Sequence, residues 1–200
     1  EIINNNQQVF YYGIVPIINS NITYASTDID NVKSIVVQPP PEYTFNASSG
    51  TMISHDDVMN TLNGYTGLFI AIMGSGVARF ESPYYQGPQY GVFENTNVID
   101  ISFANVTQLG GNAFKECTHL DNVIIPNSLT SGWNGDNIFY RTRNMSSCIL
   151  HNNIGNSFGS SCFQDSGLTS IEIPDCIGYL YGGVFQGCSR MTSCTFGVNS

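Results

Sequence analysis

The sequence predicts a repeat solenoid of the α/β type that is mostly β, with short parallel strands behind a β-rich N-terminal region. The main observation is that five segments between residues 91 and 196 share one pattern. Their Phe anchors follow one another at intervals of 21, 25, 24 and 22 residues, at Phe93, Phe114, Phe139, Phe163 and Phe185. The second observation is an alternating apolar pair near the end of each segment, such as Val123 and Ile125.

The alternating pair predicts a short strand with two side chains facing the same way. The Phe anchor, and a Val, Leu or Met five or six residues after it, belong to a turn that brings the chain back. One such coil cannot bury its apolar side alone, whereas stacked coils form a continuous core. Pro126 and Pro174 directly follow two of the strands and end the ladder, because proline has no N–H to donate. We therefore expect five coils in residues 90–200.

Residues 1–89 lack the repeat and predict a β-rich cap that covers the first coil. A β-like run at residues 32–37, rich in Val and Ile, is typical of a strand. Ser54 predicts a helix N-cap, with Asp57 as the acid at the third helical position. The runs at residues 68–73 and 77–80, separated by Gly-Ser-Gly, predict a β-hairpin.

The second segment carries a resemblance to a known family. Residues 112–130 read NAFKECTHLDNVIIPNSLT, and the last two segments keep SIEIPDCIGYL and GVFQGCSRM. These motifs resemble the BspA-like leucine-rich repeat, over residues 90 to about 198. The first segment departs from the family pattern because it lacks the Ile-Pro pair, and the third because YRTR replaces the usual short polar turn.

The resemblance implies a function as well as a fold. Proteins of this family are typically bacterial or protist surface proteins implicated in attachment to host components. We therefore expect an extracellular, non-catalytic adhesion protein of a cell surface, whose partner is a protein or glycan on a host or neighbouring surface. A structural virion component, such as a phage tail or fibre protein built on the same repeat, is the alternative from another class.

Charge and hydropathy exclude several other partners. The chain has six Lys plus Arg against fifteen acids, a net charge of −9, so nucleic acid and anionic membranes are not expected to bind. The apolar run at residues 68–73 is far too short to cross a bilayer. We expect neither a nucleic-acid partner nor membrane insertion.

The residues that could support catalysis have simpler explanations. The sequence has no G-x-S-x-G elbow, and the adjacent acids Asp56 and Asp57 are explained by the dipole of the helix that they open. His55, His119 and His151 lie in different segments without metal-ligand spacing and are interpreted as turn residues in solvent. The sequence therefore predicts no enzyme, no cofactor and no metal site.

The six cysteines allow two interpretations. An even number in an extracellular chain suggests disulfide bridges. However, Cys117 and Cys188 share one repeat position, three residues after the Phe, and Cys148 and Cys194 occupy strand positions. Small buried residues belong at such positions, so buried free thiols are favoured over bridges.

The candidate binding residues are aromatic. Tyr84, Tyr85 and Tyr90 lie outside the repeat frame among Ser, Gly and Gln, a composition typical of adaptable recognition loops. Packing of the cap onto the solenoid is the alternative role for these rings. Phe196 lies in the last strand, and nothing polar or helical follows to cover that coil. We therefore expect further repeats, a cap or another chain to contact Phe196.

Overall fold

A computed structural model describes residues 2–3, 9–10, 21–24, 35–83, 90–130, 133 and 135–197. The chain divides into two compact units, Glu1–Pro41 and Glu42–Ser200. The first unit contains two antiparallel strand pairs: β1 (Ile2–Ile3) with β2 (Val9–Phe10), and β3 (Asn21–Tyr24) with β4 (Ile35–Gln38). Strand β4 overlaps the strand predicted at residues 32–37, of which residues 32–34 lie outside the described part. The capping role of residues 1–89 stays a prediction.

The second unit consists of short strands and one described helix. In chain order its elements are β5 (Glu42–Phe45), β6 (Met52–Ile53), α1 (His55–Leu62), β7 (Phe69–Met73), β8 (Arg79–Phe80), β9 (Val98–Ser102), β10 (Asn122–Ile124), β11 (Ser147–Ile149), β12 (Ser157–Phe158), β13 (Ser170–Ile173), β14 (Tyr179–Leu180) and β15 (Ser193–Phe196).

The strands of the second unit pair in parallel with strands of neighbouring coils. Strand β7 lies between β5 and β9, while β10 pairs with β11 and β13 with β15. A second row of shorter strands contains the parallel pairs β6–β8 and β12–β14. This arrangement confirms the mostly β repeat solenoid. The parallel ladder also includes strands of residues 42–83, where the Phe-anchored pattern is absent. The predicted domain boundary at residue 90 stays a prediction.

The hairpin predicted for residues 68–80 is wrong. Strands β7 and β8 do not pair with each other, because each is hydrogen-bonded in parallel to a strand of an adjacent coil. The Gly-Ser-Gly turn carries the chain from the first strand row to the second, and the Gly74 N–H donates to the Phe45 carbonyl of the preceding coil at 2.8 Å. Two apolar runs joined by a glycine turn look the same in the sequence for a hairpin and for one corner of a coil.

Helix α1 begins as predicted. Ser54 is its N-cap, and the Ser54 side chain and Asp57 form a reciprocal capping box. The Ser54 N–H donates to Asp57 Oδ2 at 2.9 Å, and the Ser48 N–H donates to Oδ1 at 3.1 Å. Burial opposes ionisation of Asp57, but the hydrogen bonds from Ser54 and Ser48 outweigh it and lower the pKa of this carboxyl. The helix ends at Asn63, which adopts the left-handed conformation with φ of 47°.

The Phe anchors form the centre of the core. Consecutive rings are nearly parallel: Phe114 lies 5.6 Å from Phe93 and 5.2 Å from Phe139, with interplanar angles of 1° and 3°. The stack continues to Phe163 and Phe185 at centroid distances of 5.5 and 5.6 Å. The first four rings are fully buried, so the structure confirms them as core residues.

The turns that hold the Phe anchors form their own hydrogen-bond ladder. The Phe114 N–H donates to the Ile138 carbonyl of the next coil at 2.8 Å, and the Phe139 N–H donates to the Cys162 carbonyl at the same distance. A left-handed residue follows each anchor by two positions, with φ of 61° at Glu116 and 73° at Gly187. Stacking of one coil on the next thus uses both the strands and the turns.

Candidate functional site

The outer side of the strand row carries two exposed aliphatic side chains. Strand side chains alternate, so Val123 and Cys148 point into the core while their neighbours face outward. Ile124 is 64% exposed and Ile149 is 56% exposed. The two residues are direct partners in the β10–β11 pairing, so they lie side by side. Among the described residues they are the two most exposed large aliphatic side chains.

The surroundings of this pair are uncharged or acidic. Ser147 Oγ donates to Asn122 Oδ1 at 2.6 Å, and Ser146 Oγ donates to Asp121 Oδ1 at 3.0 Å. Outward positions on the neighbouring strands hold the acids Asp100 and Glu172, the hydroxyl side chains of Ser102 and Ser170, and the half-buried Ile70 and Ile72. No Lys or Arg lies in strands β9, β10, β11, β13 or β15.

Two clefts open where the strand ladder is interrupted. Among the described strands, β9 is not paired with β10, nor β11 with β13. The first gap holds a cavity of about 610 Å³, lined by Ile99–Ala104 together with Asp121, Asn122, Ile124 and Pro126. The second, of about 350 Å³, is lined by residues 147–152, Ser170–Glu172 and Pro174. The exposed isoleucines Ile124 and Ile149 therefore each border one cleft.

A third cavity, of about 380 Å³, lies between helix α1 and the first Phe-anchored coil. His55 connects the two: its Nδ1 lies 3.1 Å from both the Gly91 and Val92 carbonyl oxygens. Since carbonyl oxygens only accept, Nδ1 carries a proton and donates to them. The Tyr90 ring stacks on His55 with centroids 5.1 Å apart. The interpretation of His55 as a turn residue in solvent is therefore wrong, because the half-buried ring joins helix to coil.

Glu94, the acid in the wall of this cavity, forms an ion pair with Lys115. Glu94 Oε1 accepts from Lys115 Nζ at 2.7 Å, and Oε2 accepts from the Gly91 N–H at 2.9 Å and from Asn112 Nδ2 at 3.2 Å. Glu94 itself is buried, so the ion pair and the two hydrogen bonds satisfy its charge within the coil stack. The cavity consequently offers little net charge to a ligand.

The predicted binding residues have different outcomes. Tyr90 is 52% exposed and borders the third cavity, whereas Tyr84 and Tyr85 lie outside the described residues. Phe196 is 66% exposed at the end of β15, whose four residues are all exposed. Tyr90 and Phe196 belong to the first and last Phe-anchored coils, so the fold does not bring them into one site. Their binding roles stay predictions.

The cysteines are free thiols with graded burial. Cys117 is buried, and its Sγ donates to the Phe93 carbonyl of the preceding coil at 2.8 Å. Cys188 makes the same contact with the Phe163 carbonyl at 2.9 Å, which explains the shared repeat position. Burial raises the pKa of the Cys117 thiol to about 12, so the group stays protonated at neutral pH.

The structure confirms burial for Cys148 but not for Cys194. Both occupy the same strand position, and they differ in what covers them. Cys194 lies in β15 and is exposed, because none of the described residues forms a further coil that stacks on this strand.

Two features of this surface were not predicted from the sequence. The outward residue Ile124 stands between the two inward ones, so that residues 123–125 form an unbroken apolar run. An apolar residue at an outward strand position is a signal that the sequence does contain. The cavity beside His55 has no such signal, because its walls come from segments 36 residues apart.

Within the described ranges, no three His, Cys, Asp or Glu side chains are grouped so that they could hold a metal ion. None of the helical segments described has the length and apolar character needed to cross a membrane.

Stacked parallel strands, a central Phe stack and hydrogen-bonded turns define a leucine-rich-repeat solenoid. The family model of the BspA type leucine rich repeat region matches residues 89–200 with six copies. The match covers more than half of the chain, and the chain belongs to this family, as the resemblance predicted.

Other comparisons give less. No curated protein matches the chain significantly. Among solved structures, a leucine rich cell surface protein from Faecalibacterium prausnitzii A2-165 is similar, with a TM-score of 0.47 and 17% sequence identity. The match covers 80% of this chain and 44% of that protein, so the chain spans less than half of its length.

Proposed function

We propose that the protein is a non-catalytic recognition protein of a cell surface, which attaches to a protein on a host or neighbouring surface. The observation that carries the proposal is the exposed pair Ile124 and Ile149, side by side on β10 and β11 and each bordering a cleft. Large apolar side chains grouped on a polar surface are typical of protein contact sites. Membership of the BspA-type family supports a place outside the cell, since proteins of this family are typically surface proteins.

The charges around the pair select the partner. Asp100 and Asp121 border the first cleft and Glu172 borders the second, and no Lys or Arg lines either cavity. A partner surface with apolar groups between Lys or Arg side chains would complement both the isoleucines and these acids. Because the acids are exposed, their attraction is screened by salt, whereas contact with the isoleucines is not.

The polar groups of the clefts favour binding over catalysis. In the second cleft, His151 Nδ1 accepts a hydrogen bond from the Asn153 N–H at 3.2 Å. Ser147 Oγ donates to Asn122 rather than to a histidine. In a Ser-His site the serine hydroxyl donates to the histidine base, and here Ser147 and His151 make other contacts.

The test is binding of the fluorescently labelled chain to cultured epithelial cells, measured by flow cytometry. The double variant Ile124→Lys/Ile149→Lys should lose at least about ten-fold in affinity, because it removes the apolar contact and adds positive charge facing a basic partner. Met52→Lys is the matched control, since Met52 is an exposed apolar residue of β6, outside this surface.

Two further measurements specify the partner. Trypsin treatment of the cells should abolish binding if the partner is a protein, and added salt should weaken it. Absence of binding to cells, or equal binding by the double variant and the control, would contradict the proposed surface. Binding that survives trypsin would contradict a protein partner.

A further inference from the structure

We infer that the cavity beside helix α1, bordered by His55 and Tyr90, is a binding site for an uncharged pyranose ring. This inference rests on the proposed recognition role but uses residues of a different part of the surface. The volume of this cavity, about 380 Å³, lies in the range of small-ligand sites, about 300–1,000 Å³. The site is named here the His55–Tyr90 cleft.

Aromatic faces form much of its wall. Tyr90 is half exposed and stacks on His55 at 5.1 Å, and the ring of Tyr65 also borders the cleft. The Tyr65 hydroxyl donates to the Leu68 carbonyl at 3.1 Å, which holds this ring in place. The His55 ring is held by the carbonyls of the first coil, so Tyr90 stacks on a fixed support. The C–H groups of a pyranose carry small positive charges and are attracted to the negative face of an aromatic ring.

The polar groups of the cleft suit hydroxyl groups rather than ions. Asn95, Asn97 and Thr66 border the cavity, and Asn97 Nδ2 donates to the Thr66 carbonyl at 2.7 Å. That bond leaves the Asn97 side-chain oxygen as an acceptor for a ligand hydroxyl. Glu94 is the acid among the described residues that line the cleft, and Lys115 compensates its charge at 2.7 Å.

An apolar face combined with several hydroxyl groups is the chemistry that this wall complements. A charged sugar or a phosphate finds no uncompensated positive group in the described lining. A fully apolar ligand would offer no donor to the Asn97 side-chain oxygen. A neutral pyranose satisfies both halves of the wall.

The experiment is saturation-transfer difference NMR of the whole chain with methyl glycosides of glucose, galactose, mannose and N-acetylglucosamine. We expect saturation of the ring protons of at least one glycoside. Tyr90→Ala should weaken that glycoside by roughly three- to ten-fold, which corresponds to the loss of one stacking contact. Tyr90→Phe should bind like the original chain because the ring remains. Tyr179→Ala, at a tyrosine that is 67% exposed on β14, is the control.

Three outcomes would overturn the inference. The first is that none of the glycosides receives saturation. The second is that Tyr90→Ala leaves the signal unchanged. The third is that 4-methylphenol, which mimics a tyrosine side chain, binds in a Tyr90-dependent way while the glycosides do not, which would assign the cleft to an aromatic peptide side chain. The variants at Ile124 and Ile149 leave this cleft unaltered. Failure of glycoside binding can therefore be distinguished from failure of the proposed protein contact.

Discussion

Truncation of Phe114 tests the Phe stack on which the solenoid depends. Phe114 is fully buried, between Phe93 at 5.6 Å and Phe139 at 5.2 Å, and it meets Phe103 edge-on at 5.9 Å. Phe114→Ala therefore removes a whole buried ring from a site that neighbouring coils keep open. We expect the free energy of unfolding to fall by about 3–5 kcal/mol, as for other buried Phe-to-Ala changes.

Phe185 provides a graded comparison because it is only half-buried and stacks on Phe163 alone among the described anchors, at 5.6 Å. Phe185→Ala should cost about 1–2 kcal/mol, since solvent reaches part of the space that the ring leaves. Asn152→Ala, at an exposed residue, should change stability by no more than about 0.5 kcal/mol.

The assay is guanidinium unfolding followed by the fluorescence of Trp133. This residue is the only tryptophan of the chain and packs 5.5 Å from Phe139. If Phe114→Ala lowers the free energy of unfolding no more than Phe185→Ala or Asn152→Ala does, the Phe stack is not a main source of the stability of the solenoid.

Three further predictions concern other parts of the second unit. Cys194 should react with a thiol reagent in the native chain, and Cys148 only after unfolding; a native Cys148 reaction, or bridges found by mass spectrometry without reductant, would contradict this. Asp57→Asn should destabilise the chain by about 1 kcal/mol at neutral pH by weakening the capping box with Ser54. Because the pKa of Asp57 is lowered on folding, its contribution to stability is present above the unfolded value of about 3.8 and is lost as pH falls through the lower folded value. The difference in free energy of unfolding between the original chain and Asp57→Asn should therefore shrink as the pH is lowered. A difference that grows in acid would contradict this account. Phe196→Lys should reduce association of the chain in light scattering, since β15 is exposed along its length; equal scattering by a monomeric wild type and the variant would refute an interface there.

The repeat was predictable because the information that defines it is local and periodic. Every coil needs a large ring at the same place in the turn and inward apolar residues in the strand, so the Phe anchors and pairs such as Val123 and Ile125 recur in the sequence. The cap of helix α1 was predictable for the same reason, since Ser54 and Asp57 interact across three residues. The family followed from these local motifs.

Which strands pair was decided by the tertiary structure. The sequences of β7 and β8 do not indicate whether these strands pair with each other or with strands of neighbouring coils. In the structure both pair with strands of neighbouring coils. Cys148 and Cys194 occupy equivalent positions, yet only the first is covered by packed coils. Burial depends on which coil lies beyond a residue, and the repeat position does not specify that.

The sequence by itself determined the repeat, its Phe core, the helix cap and the acidic net charge. Tertiary structure alone decided where the surface opens: the gaps in the strand ladder beside Ile124 and Ile149, and the cleft that His55 and Tyr90 border. A core position repeats in every coil because every coil must bury the same side. A cleft forms only where particular neighbouring coils, or a coil and a helix, leave space between them, and that depends on contacts between residues far apart in the chain.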